Sequence, residues 1–306
     1  MQERTAIIDL GTNTFHLLIA EQVKEQYAFI YRERLAVRLG QRGINEGIIQ
    51  PDAIDRAIRA LSSFKTTIDQ YDATAIFAFG TSALRNAKNA SEVVTAFKEK
   101  AGIDVSIISG DREAELIFMG VRSGLALGDD YSLVMDIGGG SVEFIIGNQK
   151  EIVWKQSFEI GAQRLLEMFH HTDPIPAQEI DQLNRYFTTQ LSPLFDALDQ
   201  WKPETLIGSS GTFDTLSDIY CIKLNLNKGA DDIETPLTLQ GFYDIYTELL
   251  IKNREARMAI PGMIEMRVDM IVVACCLINF LLGQYSFKQI RVSTYALKEG
   301  ILASLK

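Results

Sequence analysis

The chain has 306 residues, of which 47% are hydrophobic and 23% are charged, so its length and composition are those of a globular protein with room for two domains. The formal net charge of −10 excludes a general nucleic-acid binder, because no run of Lys and Arg offers a footprint for a phosphate backbone. Three histidines and three cysteines without a Cys-x-x-Cys pair argue against zinc and indicate a reducing, cytoplasmic setting. The first residues lack a signal-peptide pattern, and the longest uncharged run, 270–287, predicts a buried helix instead of a membrane span.

A strand, a glycine turn and a second strand are predicted at 6–20, where Asp9 precedes a turn at 11–14. Apolar side chains at helical spacing and short strand segments alternate after this hairpin. The alternation predicts a mixed α/β sheet covered by helices. The predicted helices are 51–69 and 91–101, the second capped by Ser91, and the predicted strands are 75–79 and 105–108.

A glutamate stands at the predicted start of the next helix. The segment Ser109-Gly-Asp-Arg-Glu113 follows a strand, and its spacing predicts a helix over 113–125 with Ser109 or Asp111 as the N-cap. Acidic side chains in a first turn complement the helix dipole, and this structural role alone accounts for Glu113. Because the helix comes just before a second glycine turn, Glu113 is also placed to lie beside a shared cleft.

The most informative stretch is 133–147, which reads as an apolar strand, three consecutive glycines at 138–140 and a second apolar strand. Consecutive glycines bring bare backbone N–H groups together, and such a nest suits phosphate oxygens. Asp136 and Glu143 flank this turn and would repel a phosphate unless a cation lay between them, which points to a hard metal such as Mg²⁺. A tight hairpin with surface acids is the structural alternative.

The two glycine turns are related by an internal repeat. An offset of 127 residues lays Asp9 on Asp136 and His16 on Glu143, with matching apolar flanks. Further pairs in the same order argue for a duplicated fold whose halves face each other across a cleft and move about a hinge. These pairs are Gly11 with Gly138, Thr14 with Ser141, Gly80 with Gly208 and Gly40 with Gly161.

The repeat predicts two domains, 1–126 and 127–296, with a passage between them at 125–130. The last segment, 297–306, is predicted to be a short helix that folds back onto the first domain. Further helical patterns occupy the second half, at 178–198, 239–252 and 267–282.

Five motifs follow one another along the chain: Asp9-x-Gly11-x-Asn13-Thr14-Phe, Leu84-Arg85-x-Ala-Lys88-Asn, Ser109-Gly-x-x-Glu113-Ala, Asp136-Ile-Gly-Gly-Gly-Ser141-x-Glu143 and Gly208-Ser-Ser-Gly211-Thr212. In this order they resemble the Ppx/GppA phosphatases, the exopolyphosphatases and guanosine pentaphosphate phosphohydrolases. The resemblance covers essentially the whole chain, and five ordered motifs are far more specific than any one of them. It implies an α/β, actin-like (ASKHA, ribonuclease H-like) duplicated fold, with two mixed-sheet domains flanking a cleft.

The resemblance also implies a reaction: hydrolysis of a terminal phosphoanhydride with Mg²⁺ or another divalent cation, releasing orthophosphate. It makes Glu113 the base that activates water and Arg85 a cleft arginine that neutralises the substrate. It places Asp136, Glu143 and Asp9 on the metal side, and it suggests a homodimer without nucleic-acid or membrane partners. The implied phosphate-binding residues are Gly11, Thr12, Asn13, Thr14, Gly138, Gly139, Gly140, Ser141, Gly208, Ser209, Ser210, Gly211 and Thr212.

The substrate stays open between inorganic polyphosphate and pppGpp. Basic residues of the first half offer a local groove for a long polyanion, and a solvated face of mixed charge explains them equally well. Two departures from the family pattern, Val273-Ala274 and Lys298, bear on how the far end of the substrate is held. We expect Arg164 and Arg267 to be structural ion-pair partners outside the site, and His16 to face the domain interior or its rim.

Two other classes of protein fit the same scaffold. One is a non-catalytic sensor of phosphate or nucleotide, and the other is a kinase of the sugar-kinase type. A P-loop NTPase is excluded, because the chain has no Walker A Gly-Lys-Ser/Thr. The presence of Glu113 separates a hydrolase from a sensor, because phosphoryl transfer to water needs a group that orients or deprotonates that water.

Overall fold

The first glycine turn belongs to a five-stranded mixed sheet. The computed structural model of the chain describes residues 3–24, 26–229 and 231–305. The first hairpin of the sheet is antiparallel, and the strand after the first long helix pairs in parallel with the first strand. The strands are β1 (Arg4–Leu10), β2 (Thr14–Val23), β3 (Gln26–Ala36), β4 (Ala75–Gly80) and β5 (Val105–Ile107), in the order β3-β2-β1-β4-β5.

The second glycine turn belongs to a six-stranded sheet of the same plan. Its strands are β6 (Ser132–Ile137), β7 (Val142–Gly147), β8 (Ile152–Phe158), β9 (Thr205–Ser209), β10 (Glu234–Thr235) and β11 (Gln289–Ser293). Their order is β10-β11-β9-β6-β7-β8, so β8-β7-β6-β9-β11 repeats the first sheet strand for strand and β10 adds an edge. The predicted duplicated α/β fold with two mixed sheets is confirmed.

Helices cover both sheets. Those of the first half are α1 (Pro51–Gln70), α2 (Ser82–Arg85), α3 (Ala90–Ala101) and α4 (Gly110–Gly124). Those of the second half are α5 (Ala162–Phe169), α6 (Ala177–Gln190), α7 (Ser192–Trp201), α8 (Ser210–Lys223), α9 (Leu239–Ile251), α10 (Arg254–Met258) and α11 (Ile271–Gln284). The final helix is α12 (Leu297–Ser304).

Two predicted helix starts differ from the structure. The helix predicted from residue 113 already begins at Gly110, because the Ser109 hydroxyl accepts the Arg112 backbone N–H at 3.2 Å and caps it. Ser109 is therefore the cap, and Asp111 lies within the first turn. The prediction that Ser91 caps α3 is wrong, because the helix already includes Ala90.

In the second half, one predicted helix is interrupted and another begins later than the apolar pattern predicts. The single helix predicted over 178–198 is interrupted at Leu191, and Pro193 stands in the first turn of α7, where a missing amide N–H costs no hydrogen bond. The helix predicted from residue 267 begins at Ile271. Within the described residues, no helix is both long and apolar enough to cross a membrane.

The final helix packs tightly on α4. A side chain at Gly120 would strike the carbonyl of Ala296, and a side chain at Gly300 would strike the carbonyl of Leu116. Glycine at both positions lets the two backbones touch, and this contact holds the start of α12 against the space between the sheets.

One apolar cluster joins the two halves. It contains Ile7 and Leu18 from the first sheet, Val134 and Ile145 from the second, and buried side chains of α4 and α12 between them. Separate clusters fill the core of each half. The domain bounds 1–126 with 297–306, and 127–296, remain a proposal, and Lys306 lies outside the described residues.

Candidate active site

A single cavity of about 110 Å³ lies between the two sheets and is lined by both glycine turns. The turns have the same internal hydrogen bond. The Gly11 N–H donates to the Thr14 carbonyl at 3.1 Å, and the Gly138 N–H donates to the Ser141 carbonyl at 3.0 Å. The predicted residues that line the cavity are Asp9, Gly11, Thr12, Asn13, Thr14, Glu113, Asp136, Gly138, Gly139, Gly140, Ser141, Glu143, Ser210 and Gly211.

The two turns face each other at close range. A Cβ atom at Gly139 would lie 2.7 Å from Asn13 Nδ2, and one at Gly140 would lie 2.6 Å from Thr12 Oγ1. Within the described residues, the backbone amides of Thr12, Asn13, Gly139 and Gly140 donate no hydrogen bond. Unpaired amides from both halves are therefore available to an anion in the cavity.

Five carboxyl groups line the same cavity, those of Asp9, Glu113, Asp136, Glu143 and Asp214. Burial raises the pKa of Glu113 to about 7 although Arg85 opposes it, and burial likewise raises the pKa of Asp9 to about 7. Burial raises the pKa of Asp136, and burial together with the neighbouring Glu113 raises that of Glu143 well above its usual range. The cavity wall is therefore poor in cations on this side, and its acids repel one another.

Hydroxyl groups orient two of these acids. Asp136 Oδ2 accepts hydrogen bonds from the hydroxyls of Ser209 at 2.7 Å and Ser210 at 2.6 Å. Glu143 Oε1 accepts one from Ser157 at 2.7 Å. The segment 208–212 thus supports Asp136 from the end of β9 and the start of α8.

Members of that segment differ in their positions. Ser210 and Gly211 line the cavity, and Ser210 has the left-handed φ of +66° that brings its hydroxyl to Asp136. Gly208, Ser209 and Thr212 are not among the described residues that line the cavity. Gly208 instead lies against the ring of Phe213, and Thr212 is buried.

Arg85 lies behind Glu113. Its Nη1 donates to Glu113 Oε2 at 2.7 Å, and it does not belong to the described lining of the cavity. Its Nη2 lies 3.5 Å from the Ser141 hydroxyl of the second glycine turn. In this arrangement Arg85 contacts the cavity wall from outside, and Glu113 separates it from the open space.

A second wall of the cavity is cationic, and the sequence predicted it only in part: Arg34 was one of the basic residues considered for a substrate groove, whereas Arg267 was expected outside the site. Arg34, Arg267 and Lys298 all line it. Arg267 forms no ion pair with a described residue, and its buried Nε has no hydrogen-bond partner, so the expectation of a structural ion pair is wrong. Burial lowers the pKa of Arg267, and the neighbouring Arg34 lowers it further.

Lys298 remains charged in spite of its burial. Burial alone would lower its pKa, but Glu299, Asp214 and Asp9 raise it overall. Two features of the sequence pointed to Lys298: its departure from the family pattern, and its position at the start of a helix predicted to return to the first half. Arg164, by contrast, forms the expected ion pair, with Glu159 at 3.1 Å.

His16 occupies the place on the first hairpin that Glu143 occupies on the second. Asp9 pairs with His16 across β1 and β2, and Asp136 pairs with Glu143 across β6 and β7. Burial and the nearby cations lower the pKa of His16 well below its usual value, so its ring is neutral. His16 lines the cavity next to the cationic wall. The expectation from the sequence was that it faces the domain interior or its rim.

The motifs, the internal repeat and the cavity all indicate the same protein family. The model of the Ppx/GppA phosphatase family matches residues 18–306. The chain belongs to the Ppx/GppA phosphatase family. The family prediction made from the motifs is confirmed, and with it the prediction of a hydrolase.

Several relatives of this Ppx/GppA protein align with nearly its full length. It is 30% identical to "Exopolyphosphatase 2" of Mycobacterium tuberculosis, over 99% of this chain and 98% of the relative. It is 45% identical to a crystal structure of an exopolyphosphatase from Cytophaga hutchinsonii, with a TM-score of 0.97 over 99% of this chain and 97% of that one. It is 27% identical to a guanosine-5'-triphosphate,3'-diphosphate pyrophosphatase of Photobacterium profundum, of which it spans 58%.

Proposed function

We propose that this enzyme hydrolyses the terminal phosphoanhydride of inorganic polyphosphate and releases orthophosphate. The observation that carries the proposal is the cavity, where bare amides of two glycine turns face each other between an acidic and a cationic wall. Phosphoryl transfer needs positioning and charge stabilisation more than covalent chemistry, and this arrangement supplies both.

The family supports two substrates, and the cavity favours polyphosphate over pppGpp. Within the described lining there is no Phe, Tyr or Trp ring on which a guanine could stack. The relatives at 30% and 45% identity that match over their full length are both named exopolyphosphatases. Hydrolysis of pppGpp at the 5' end remains the second candidate, supported by the Photobacterium relative.

The acidic wall fits a divalent cation. The carboxyls of Asp9, Asp136 and Glu143 are hard oxygen donors. Burial raises the pKa of all three, and neighbouring carboxyls raise the pKa values of Asp9 and Glu143 further, so a cation would relieve that repulsion. Among the described residues, no three acidic, histidine or cysteine side chains form a ready-made metal site. Mg²⁺ is typically held by one or two carboxylates together with substrate phosphates, so this geometry suits it.

In this proposal Asp136, Glu143 and Asp9 would hold Mg²⁺ or another divalent cation, which would neutralise charge on the phosphate oxygens. In the same proposal Glu113 acts as the base. Arg85 engages its Oε2, which leaves Oε1 to accept a proton from a water in the cavity. A pKa of about 7 gives this carboxylate more basicity than an ordinary glutamate while leaving much of it ionised at neutral pH.

The remaining residues bind and orient the substrate. The free amides of Thr12, Asn13, Gly139 and Gly140 hold the terminal phosphate, and Ser210 and Gly211 extend this binding surface. Arg34, Arg267 and Lys298 neutralise the charge on the rest of the chain as the bridging oxygen leaves. We place the enzyme in the cytoplasm, which its three buried free thiols support, and the homodimer implied by the family remains a proposal.

The test is orthophosphate release from polyphosphates of several lengths and from pppGpp, each with Mg²⁺ and with a chelator. We expect Mg²⁺-dependent release from polyphosphate at a higher kcat/KM than from pppGpp. A preference for pppGpp would replace the proposed substrate with the second candidate. Release from neither substrate would favour a non-catalytic sensor.

A further inference from the structure

Glu159, which follows β8 in the second half, joins the two halves of the molecule. Its Oε2 accepts the Ser82 hydroxyl at 2.6 Å, and its Oε1 accepts Arg85 Nη2 at 3.1 Å. Both donors lie on α2 in the first half. From its own half, Arg164 Nη2 donates to Oε2 at 3.1 Å. One carboxylate therefore collects donors from both sides of the cleft.

These contacts occupy the side of Arg85 that faces away from Glu113. Nη1 of Arg85 donates to Glu113 and to the carbonyl of Ile108, whereas Nη2 donates to Glu159 and to Ser141. The four Nη hydrogens of the guanidinium are thus divided between the first half and the second. A planar guanidinium held at both ends has little freedom to rotate.

We propose that Glu159 is a positioning residue that couples closure of the two halves to the placement of Arg85 behind Glu113. When the halves approach, Glu159 holds Nη2, and Nη1 is directed at the carboxylate of Glu113. When they separate, Arg85 loses its partners Glu159 and Ser141 together. The inference rests on the proposed function, because it treats Glu113 as the base.

Arg164 braces Glu159 in the closed arrangement. Its Nε donates to the Gly140 carbonyl at 2.8 Å and its Nη1 donates to the Ile44 carbonyl at 2.7 Å in the first half. The same side chain therefore links the second glycine turn, the first half and Glu159. The contact set is specific to the closed cleft, because it requires Ile44 and Gly140 to be within reach of one guanidinium.

The kinetic test uses Glu159→Ala with Glu167→Ala as the matched control. Glu167 also crosses the cleft, since its carboxylate accepts the Arg42 backbone N–H at 3.0 Å, but it has no contact with Arg85. We expect Glu159→Ala to lower kcat for phosphate release about 10- to 100-fold with little change in KM, as small misplacements of catalytic groups do. Glu167→Ala should keep the wild-type kcat. A lower KM with unchanged kcat in Glu159→Ala would overturn the proposal, because Glu159 would then compete with substrate for Arg85.

A double-mutant comparison shows whether Glu159 acts through Arg85. Lysine at position 85 keeps the charge but loses the planar guanidinium whose two ends hold Glu113 and Glu159 separately. In the Arg85→Lys background, Glu159→Ala should therefore have little further effect on kcat. Equal losses in both backgrounds would contradict the coupling. Glu159→Gln, which keeps the size and an acceptor oxygen, gives the same test with a smaller expected loss if the alanine variant does not fold.

A distance measurement separates this inference from the proposed function. Spin labels on cysteines introduced at Ser91 and Gln190 report closure, because these two exposed positions lie in opposite halves. The native thiols are buried, so the introduced cysteines are the ones that react with the label. Glu159→Ala should lengthen or broaden the distance distribution, whereas Glu179→Ala, which removes an exposed contact to His171 within the second half, should leave it unchanged. An unchanged distribution in Glu159→Ala would refute the bridge. If the wild type released no phosphate from any substrate, the proposed function would fail while this measurement still tested Glu159.

Discussion

The β1–β2 and β6–β7 hairpins share one backbone design and differ in the charge of their side chains. Each turn is closed by an N–H to carbonyl hydrogen bond of 3.0–3.1 Å, from Gly11 to Thr14 and from Gly138 to Ser141. Across the strands, Asp9 pairs with His16, whereas Asp136 pairs with Glu143. The second hairpin therefore presents two carboxyls to the cavity, and the first presents one carboxyl and a neutral imidazole.

This difference divides the cavity into two walls. Glu143 adjoins Glu113 and Asp136, and burial with these neighbours raises its pKa. His16 adjoins Lys298, Arg267 and Arg34, and burial with these cations lowers its pKa. The repeated backbone supplies amides from both sides. In the proposed function, the exchange of Glu143 for His16 at the equivalent position assigns a cation to one wall and the anionic substrate chain to the other.

The largest effect is expected at the residue that approaches between the hairpins. Glu113→Gln removes the base and keeps the size of the side chain, so kcat should fall by about 10²- to 10⁴-fold with little change in KM. Steady-state phosphate release measures both constants. Glu115→Gln is the control, because Glu115 lies on the same helix and pairs with Arg112 and Lys155 outside the cavity. A Glu113→Gln variant with full turnover would remove Glu113 from the mechanism.

The comparison between the hairpins is tested by neutralising the equivalent aspartates. Asp136→Asn should raise the Mg²⁺ concentration for half-maximal rate by at least about tenfold, because Asp136 lies beside a second carboxyl. Asp9→Asn should raise it less, because the residue opposite Asp9 is a neutral imidazole. Titration of activity with Mg²⁺ gives both values. The reverse order would place the metal mainly on the first hairpin.

The cationic wall is tested by making the first hairpin resemble the second. His16→Glu places a carboxylate beside Arg267 and Lys298 and partly cancels their charge. The KM for polyphosphate should rise about tenfold, which corresponds to roughly 1.4 kcal/mol of lost attraction. His171→Glu, at an exposed position away from the cavity, is the control for the added charge. An unchanged KM in His16→Glu would mean that substrate does not reach this wall.

The smallest effect is a pH-dependent stabilisation by Mg²⁺. The raised pKa values of Glu113 and Asp9, both about 7, mean that the folded metal-free protein binds these protons more tightly than the unfolded chain does. The stability that these two protonated carboxyls contribute is fully present below pH about 4, the ordinary pKa of a carboxyl group, and is lost as the pH rises through about 7. Mg²⁺ should therefore raise the Tm by about 2–4 °C more at pH 8 than at pH 6. An equal gain at both values would show that the cation does not compete with these protons.

The sequence was most informative where a residue type is required by the backbone. Close approach of two turns needs glycine, so Gly139 and Gly140 were visible as a motif, and the offset to Gly11 predicted the facing arrangement. The same strand order in both sheets agrees with the duplication that the repeat predicted. Helix ends were less predictable, because a side-chain cap such as Ser109 or a proline such as Pro193 decides them locally.

The side chains that reach the cavity from distant segments were not predictable. Arg267 comes from the turn before α11 and Lys298 from α12, and their charges gave no periodic signal in an otherwise ordinary surface composition. Lys298 reaches the cavity because Gly120 and Gly300 let two helices touch, which is a tertiary contact. Glu159 carried no motif either, and its position across from Arg85 depends on how the halves meet.

The most direct test of the account is a single turnover of polyphosphate in H₂¹⁸O with Mg²⁺. Attack by water on the terminal phosphorus breaks its bond to the bridging oxygen, so the released orthophosphate should carry one ¹⁸O and the shortened chain should carry none. Mass spectrometry of both products measures this. Label in the new end of the shortened chain would mean attack at the neighbouring phosphorus and would contradict the proposed placement of Glu113 and its water.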